Sequence, residues 1–126
     1  MKFEDQISNK ILLAAIEVHR ALGPGLLESA YEECLFRELQ ILGLSVDRQR
    51  ALPVTYKGFL LDCGYRLDLV VEDVVIIELK AVHKIEPIHE AQMLTYLKMS
   101  ELKLGLLLNF NVPLMRDGIR RIVHNL

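Results

Sequence analysis

The spacing of apolar positions predicts two helices at the start of the chain. In the first, apolar residues recur at three- and four-residue steps across 3–22, and the LGPG segment at 22–25 then breaks the pattern. A second apolar line runs from about Leu26 to Leu42, and Gly43 provides a helix stop. We therefore expect two packed helices before any strand.

The period changes between Leu44 and Val82, where β-branched and aromatic residues dominate. Turn signals at Lys57-Gly58 and Glu72-Asp73 divide this region into three strands, which predicts an antiparallel meander. A third helix follows.

Pro87 suits the first turn of that third helix, which covers the segment EPIHEAQMLTYLKMSELK. Two more strands are predicted, LGLLLNF and GIRRIVH. The order ααβββαββ indicates an α+β fold, layered α/β/α, with helices flanking a mixed sheet. The 126 residues suit one domain over 1–126.

Ionisable residues interrupt two of these apolar strands, in the stretch YRLDLVVEDVVIIELKAV. A three-residue turn at 72–74 places Asp68 opposite Glu78, with Lys80 on the same face. A two-residue turn would split the polar set between the two faces and leave charges under a helix, which is costly. The first register leaves one face apolar: Leu67, Leu69, Val71, Val75, Ile77 and Leu79.

Two carboxylates and a lysine within one cross-strand distance have two interpretations. Asp68 and Glu78 would repel each other unless a cation lies between them, and hard oxygen ligands suit Mg²⁺ or Mn²⁺. Lys80 could then stabilise negative charge that develops on a phosphate. The alternative is a set of salt bridges on a solvated sheet face, as in a plain structural domain. These two strands alone do not decide between a metal site and surface salt bridges.

Three helical residues extend the candidate site. Gln92 and Tyr96 are four apart and therefore neighbours on one helix face, from which they could contact a phosphate. Glu28 lies in the first turn of the second helix, where an isolated glutamate is best explained by the helix dipole.

Together these motifs resemble a known family. Asp68, Glu78 and Lys80 have the spacing D-x9-E-x-K of the PD-(D/E)xK nuclease superfamily, and QMLTY resembles the QxxxY motif of its RecB-like and lambda-exonuclease-like branch. GLLESAY resembles the pattern of the GxxExxY family, placed in this superfamily. The resemblance covers nearly the whole chain. Leu67 stands where the superfamily's name-giving motif has proline.

The resemblance implies a restriction-endonuclease-like core that binds Mg²⁺ or Mn²⁺. It implies metal ligation by Asp68, Glu78 and Glu28. Lys80 would be the catalytic lysine, and Gln92 and Tyr96 an accessory pair.

The expected function is metal-dependent hydrolysis of DNA phosphodiester bonds. The alternative is a non-catalytic nuclease-fold module that acts through a protein or nucleic-acid partner or as a homodimer, because a net charge of −2 attracts DNA poorly. Bound divalent ions would reverse the local charge, and basic residues near the sheet edge could then contact phosphates: Arg48, Arg50, Lys57, Lys84 and Lys98.

The N-terminus does not resemble a signal peptide and no apolar run could span a membrane, so a cytoplasmic location without membrane partners is expected.

Overall fold

The computed structural model describes residues 1–126 and contains three α-helices at the predicted places. Their bounds are α1 Phe3–Leu22, α2 Glu28–Ile41 and α3 Pro87–Ser100. Gly23 ends α1 with φ of 73°, a conformation that glycine adopts without strain. Pro87 opens α3, and Glu86 and His89 form a reciprocal capping box around it.

The structure has seven strands, two more than the five predicted. They are β1 Val46–Ala51, β2 Val54–Tyr56, β3 Phe59–Leu61, β4 Arg66–Val71, β5 Val75–Lys80, β6 Leu104–Asn109 and β7 Ile119–Val123. A short 3₁₀ helix, Met115–Gly118, precedes β7. The main sheet has the order β1-β4-β5-β6-β7, with β5 and β6 parallel and the other pairs antiparallel. The predicted α+β class with a mixed sheet is confirmed.

The first two predicted strands each divide in two. Pro53 has no N–H to donate to a ladder, and the irregular segment 62–65 contains Gly64 at φ of 79°. The end of the first predicted strand forms β2 and the start of the second forms β3. These two short strands pair with each other as a separate hairpin outside the main sheet. Among strands of the main sheet alone, the order ααβββαββ holds.

The predicted register between β4 and β5 is confirmed. Leu69 pairs with Ile77 and Val71 with Val75, so the turn contains three residues, 72–74. Glu72 and Asp73 both have positive φ there, at 51° and 61°. Continued by one position, this register sets Asp68 against Glu78.

Both faces of the sheet are covered by helices. Leu69 and Val71 pack into the core under α1 and α2, whereas Val70 and Ile76 pack under α3. Leu67 was predicted to share the face of Leu69, but it lies in the core under α3. The strand loses its regular alternation at Asp68, because the β1–β4 ladder skips the Gln49–Asp68 pair and Gln49 has φ of 54°.

Helix α3 lies close against β6 because Gly105 has no side chain. A Cβ atom at this glycine would lie 2.4 Å from Sδ of Met93. Met93 is fully buried, and its neighbour Gln92 points toward the end of β5. This packing brings α3 next to the polar end of the sheet.

Candidate active site

All six site residues predicted from the sequence line one cavity of about 630 Å³. They are Glu28, Asp68, Glu78, Lys80, Gln92 and Tyr96. The cavity lies where β4 begins and β5 ends, between the start of α2 and the middle of α3. Three secondary-structure layers therefore contribute side chains to it.

The carboxylates of Asp68 and Glu78 each accept a hydrogen bond from a backbone N–H of the opposite strand. The backbone N–H of Asp68 donates to Oε2 of Glu78 at 2.9 Å, and the N–H of Leu79 donates to Oδ2 of Asp68 at 2.9 Å. The β4–β5 ladder stops one pair earlier, at Leu69 and Ile77. Carboxylates thus satisfy backbone donors that the diverging strands no longer pair. These bonds fix both carboxylates on rigid backbone.

The pair carries an unfavourable concentration of negative charge. Glu78 is only 7% exposed, and burial together with the charge of Asp68 raises the pKa of Glu78 to about 8. Lys80 opposes this shift, yet neither carboxylate forms a salt bridge with it or with any other cation. A cation that entered the cavity would be stabilised by both groups.

Gln49 and Glu32 belong to the site although the sequence analysis missed them. Nε2 of Gln49 donates to Oε1 of Glu32 at 2.8 Å and to Oδ1 of Asp68 at 3.3 Å. Both residues line the cavity. Glu32 could have been suspected because it lies one helical turn after Glu28. Gln49 gives no local signal, since its role depends on the pairing of β1 with β4.

Glu28 lines the cavity from the first turn of α2, where it is exposed. It forms no salt bridge, and no three His, Cys, Asp or Glu side chains are grouped closely enough to hold a metal ion. Two carboxylates are therefore in place, and metal ligation by Glu28 stays a prediction.

Tyr31 explains the GxxExxY spacing in structural terms. Its hydroxyl donates to the carbonyl of Gly23 at 2.6 Å and accepts from the N–H of Leu26 at 3.0 Å. Its ring stacks on Phe110 with centroids 4.6 Å apart. Tyr31 thus fixes the loop that leads into α2, and this loop sets the position of Glu28.

Burial fixes Tyr96 in the wall of the cavity, and backbone hydrogen bonds fix the chain around Lys80. Tyr96 is buried, and burial and then the charge of Glu78 raise the pKa of its hydroxyl. The carbonyl of Lys80 accepts from the N–H of Phe110 at 3.0 Å. Asn109 binds both the N–H and the carbonyl of Val82, so the chain that follows Lys80 is fixed to β6.

Two of the basic residues predicted near the sheet edge are engaged within the protein. Arg48 pairs with Glu32 at 2.8 Å and also with Glu33, and these hydrogen bonds raise its pKa. Arg50 pairs with Asp73 at 2.8 Å and with Asp47. The three predicted lysines form no salt bridge and keep their charge available: Lys57, Lys84 and Lys98.

A mixed sheet flanked by helices, with acidic residues and a lysine at the end of its meander, is the architecture of a restriction-endonuclease-like domain. The sequence profile of the PD-(D/E)XK nuclease superfamily matches residues 5–122, and the chain belongs to this superfamily. Comparisons with curated proteins and with solved structures found no match. The narrower resemblance to the GxxExxY family stays a prediction. No helix is long and apolar enough to cross a membrane.

Proposed function

We propose that this nuclease-superfamily protein is a metal-dependent enzyme that hydrolyses DNA phosphodiester bonds. The observation that supports this most strongly is the cavity itself, which gathers four carboxylates, an unpaired lysine, and the polar side chains of Gln92 and Tyr96. A solvated face of surface ion pairs explains the arrangement less well. Asp68, Glu78 and Lys80 form no salt bridges, and Glu78 is buried.

The donor set fits Mg²⁺ or Mn²⁺. Asp68 and Glu78 offer hard oxygen atoms on fixed strands, and their mutual repulsion favours a bound cation. These two residues would hold the ion, with Glu28 as a candidate further ligand from α2. When bound, the ion supplies electrophilic activation of the phosphate and acidification of the attacking water.

The chain's own residues orient the phosphate and respond to its charge. Lys80 has no carboxylate partner, so its ammonium group is free to stabilise the negative charge that develops on the phosphate oxygens. Gln92 can donate its amide to a phosphate oxygen, and the Tyr96 hydroxyl lies in the same cavity. Gln49 keeps Asp68 in its orientation through the bond to Oδ1.

A non-catalytic module remains the second candidate, for one specific reason. Arg48 and Arg50, two of the cations near the sheet edge, are neutralised by carboxylates of the protein. Weak electrostatic attraction to a polymer would suit a protein that acts with a partner. Calorimetric titration with Mn²⁺ separates the candidates, because only a working site should bind the ion in a manner that depends on Asp68 and Glu78.

The direct test is cleavage of single-stranded, duplex and branched DNA with Mg²⁺ or Mn²⁺. Lys80→Ala and Glu78→Ala should each lower the rate by about 100-fold or more, because Lys80 would stabilise negative charge in the transition state and Glu78 would hold the metal ion. Lys10→Ala is the matched control, since this lysine is exposed on α1, forms no salt bridge and lies outside the cavity. EDTA should abolish cleavage. Wild-type protein that cleaves none of these substrates would contradict the proposal.

A further inference from the structure

The β2–β3 hairpin has one face made only of apolar side chains. Val54 pairs with Leu61 and Tyr56 with Phe59, so these four residues share a face. Tyr56 is 60% exposed and Phe59 is 68% exposed, and none of the four belongs to either core of the protein. Apolar side chains grouped in this way on an exposed hairpin indicate a binding surface.

The base of the hairpin is anchored beside the candidate active site. The N–H of Leu52 donates to the carbonyl of Tyr65 at 3.0 Å, and Leu52 is buried in the core under α3. The ring of Tyr65 lies 6.4 Å from that of Tyr96, which lines the cavity. An aromatic pair therefore connects the base of the hairpin to the site.

The charge of the hairpin is positive. No acidic residue occurs between Leu52 and Leu61, and Lys57 occupies the turn. The Lys57 ammonium group lies 5.5 Å from the centre of the Tyr56 ring and forms no salt bridge. A cation next to exposed aromatic rings is complementary to a phosphate next to a base.

We propose that this hairpin binds the unpaired bases of single-stranded or frayed nucleic acid and guides that strand to the cavity, a proposal that rests on the proposed nuclease function. Tyr56 and Phe59 stack on bases, and Lys57 contacts the backbone. Unpaired bases are the better ligand than a duplex, because a duplex buries its base faces in its own stack. The net charge of −2 gives the chain little general attraction to a polyanion, which makes stacking the main source of affinity.

A second copy of the chain fits this face less well. Side chains of Tyr and Phe size offer about 150–250 Å² each when fully exposed, so the exposed apolar face amounts to roughly 350 Å². Stable interfaces bury about 800 Å² on each partner. The hairpin face alone is too small to hold a dimer, whereas two stacked bases need little area.

Fluorescence polarisation with a labelled oligothymidylate and with a blunt duplex of equal length tests this proposal. The Lys80→Ala protein in Mg²⁺ serves as the parent, so that the strand is not cut. Combined Tyr56→Ser and Phe59→Ser changes should weaken single-strand binding by roughly tenfold or more and duplex binding much less. Tyr56→Leu with Phe59→Leu keeps the hairpin apolar but removes the rings, and should also weaken single-strand binding. Leu13→Ser is the matched control, because Leu13 is 67% exposed and lies on α1.

The outcomes separate this proposal from the proposed hydrolysis. Unchanged single-strand affinity in both double variants would overturn the hairpin proposal, even if the wild type cleaves DNA. Loss of that affinity supports it, even if the wild type cleaves nothing, in which case hydrolysis alone fails. Sedimentation velocity completes the test: a dimer that the Tyr56→Ser and Phe59→Ser changes convert to monomer, with single-strand affinity kept, would assign the face to a second copy.

Discussion

Glu78 combines two roles that oppose each other at neutral pH. It accepts the N–H of Asp68, which the sheet needs, yet it is buried beside a second carboxylate. Burial and then the charge of Asp68 raise the pKa of Glu78, because the protonated form avoids both a buried charge and the repulsion. In a metal-free protein the site therefore destabilises the fold whenever both groups are ionised.

This conflict predicts a pH dependence that Glu78→Gln should remove. The pKa of Glu78 is about 8 in the folded protein, above its ordinary value of 4.5, so the folded state retains a proton that the unfolded state releases. The associated stability is fully present below pH 4.5 and is lost as pH rises through 8. In EDTA, the variant should gain on the order of a few kcal/mol over wild type between pH 5 and pH 9, measured by urea unfolding. Exposed Glu101→Gln is the control, and a pH-independent difference for Glu78→Gln would contradict this explanation.

Gln49 shows how one side chain can order an acidic site. Its amide donates to Glu32 and to Asp68, which separates two carboxylates and fixes the second. We predict that Gln49→Ala weakens Mn²⁺ binding by roughly tenfold, because partners that orient metal ligands have effects of this size. Gln49→Glu should fail to restore affinity, since a carboxylate cannot donate these bonds. Calorimetric titration measures both variants, and Gln40→Ala on the exposed surface of α2 should bind like wild type. Equal affinity in Gln49→Ala would refute the ordering role.

Among the secondary-structure elements, the helices and main-sheet strands were predictable from local periodicity. Each has an apolar stripe or alternation that matches its burial, and glycine or proline marks several of the ends. The separate hairpin was not predictable in the same way. Its strands carry the same residue types as the sheet, and only Pro53 and the segment at 62–65 indicate that the chain leaves the sheet.

The candidate site was predictable where it depends on one turn. The three-residue turn at 72–74 fixes the register, and the register alone brings Asp68 to Glu78. The network around Gln49 depends on how β1 pairs with β4, across a hairpin that separates them in sequence. Local pattern contains no information on that pairing, so this part of the site required the structure. The predicted sheet face of Leu67 was wrong for the same reason, since it depends on how β1 pairs with β4.

At the scale of the whole molecule, charge limits what the protein can bind without metal. The chain has 15 Lys and Arg residues against 17 Asp and Glu residues, and eight salt bridges already engage several arginines. The cavity adds further negative charge to the surface that a phosphate would approach. Divalent ions therefore have two roles in the proposed function, since they activate the phosphate and make its approach favourable.

We expect the two cores to unfold together, and residues 1–126 therefore to behave as one folding unit. They occupy opposite faces of one sheet, and adjacent residues of β4, Leu69 and Val70, belong to different cores. We predict that Leu35→Ala on α2, in one core, and Met93→Ala on α3, in the other, each lower the free energy of unfolding by about 2–5 kcal/mol. In urea, each variant should unfold in one transition whose slope with denaturant concentration is that of the wild type. Far-ultraviolet and tyrosine near-ultraviolet circular dichroism should give the same midpoint. A Met93→Ala variant that unfolds in two steps would mean that the sheet does not couple its faces, and α3 could then detach with Gln92 and Tyr96 while the carboxylates stay in place.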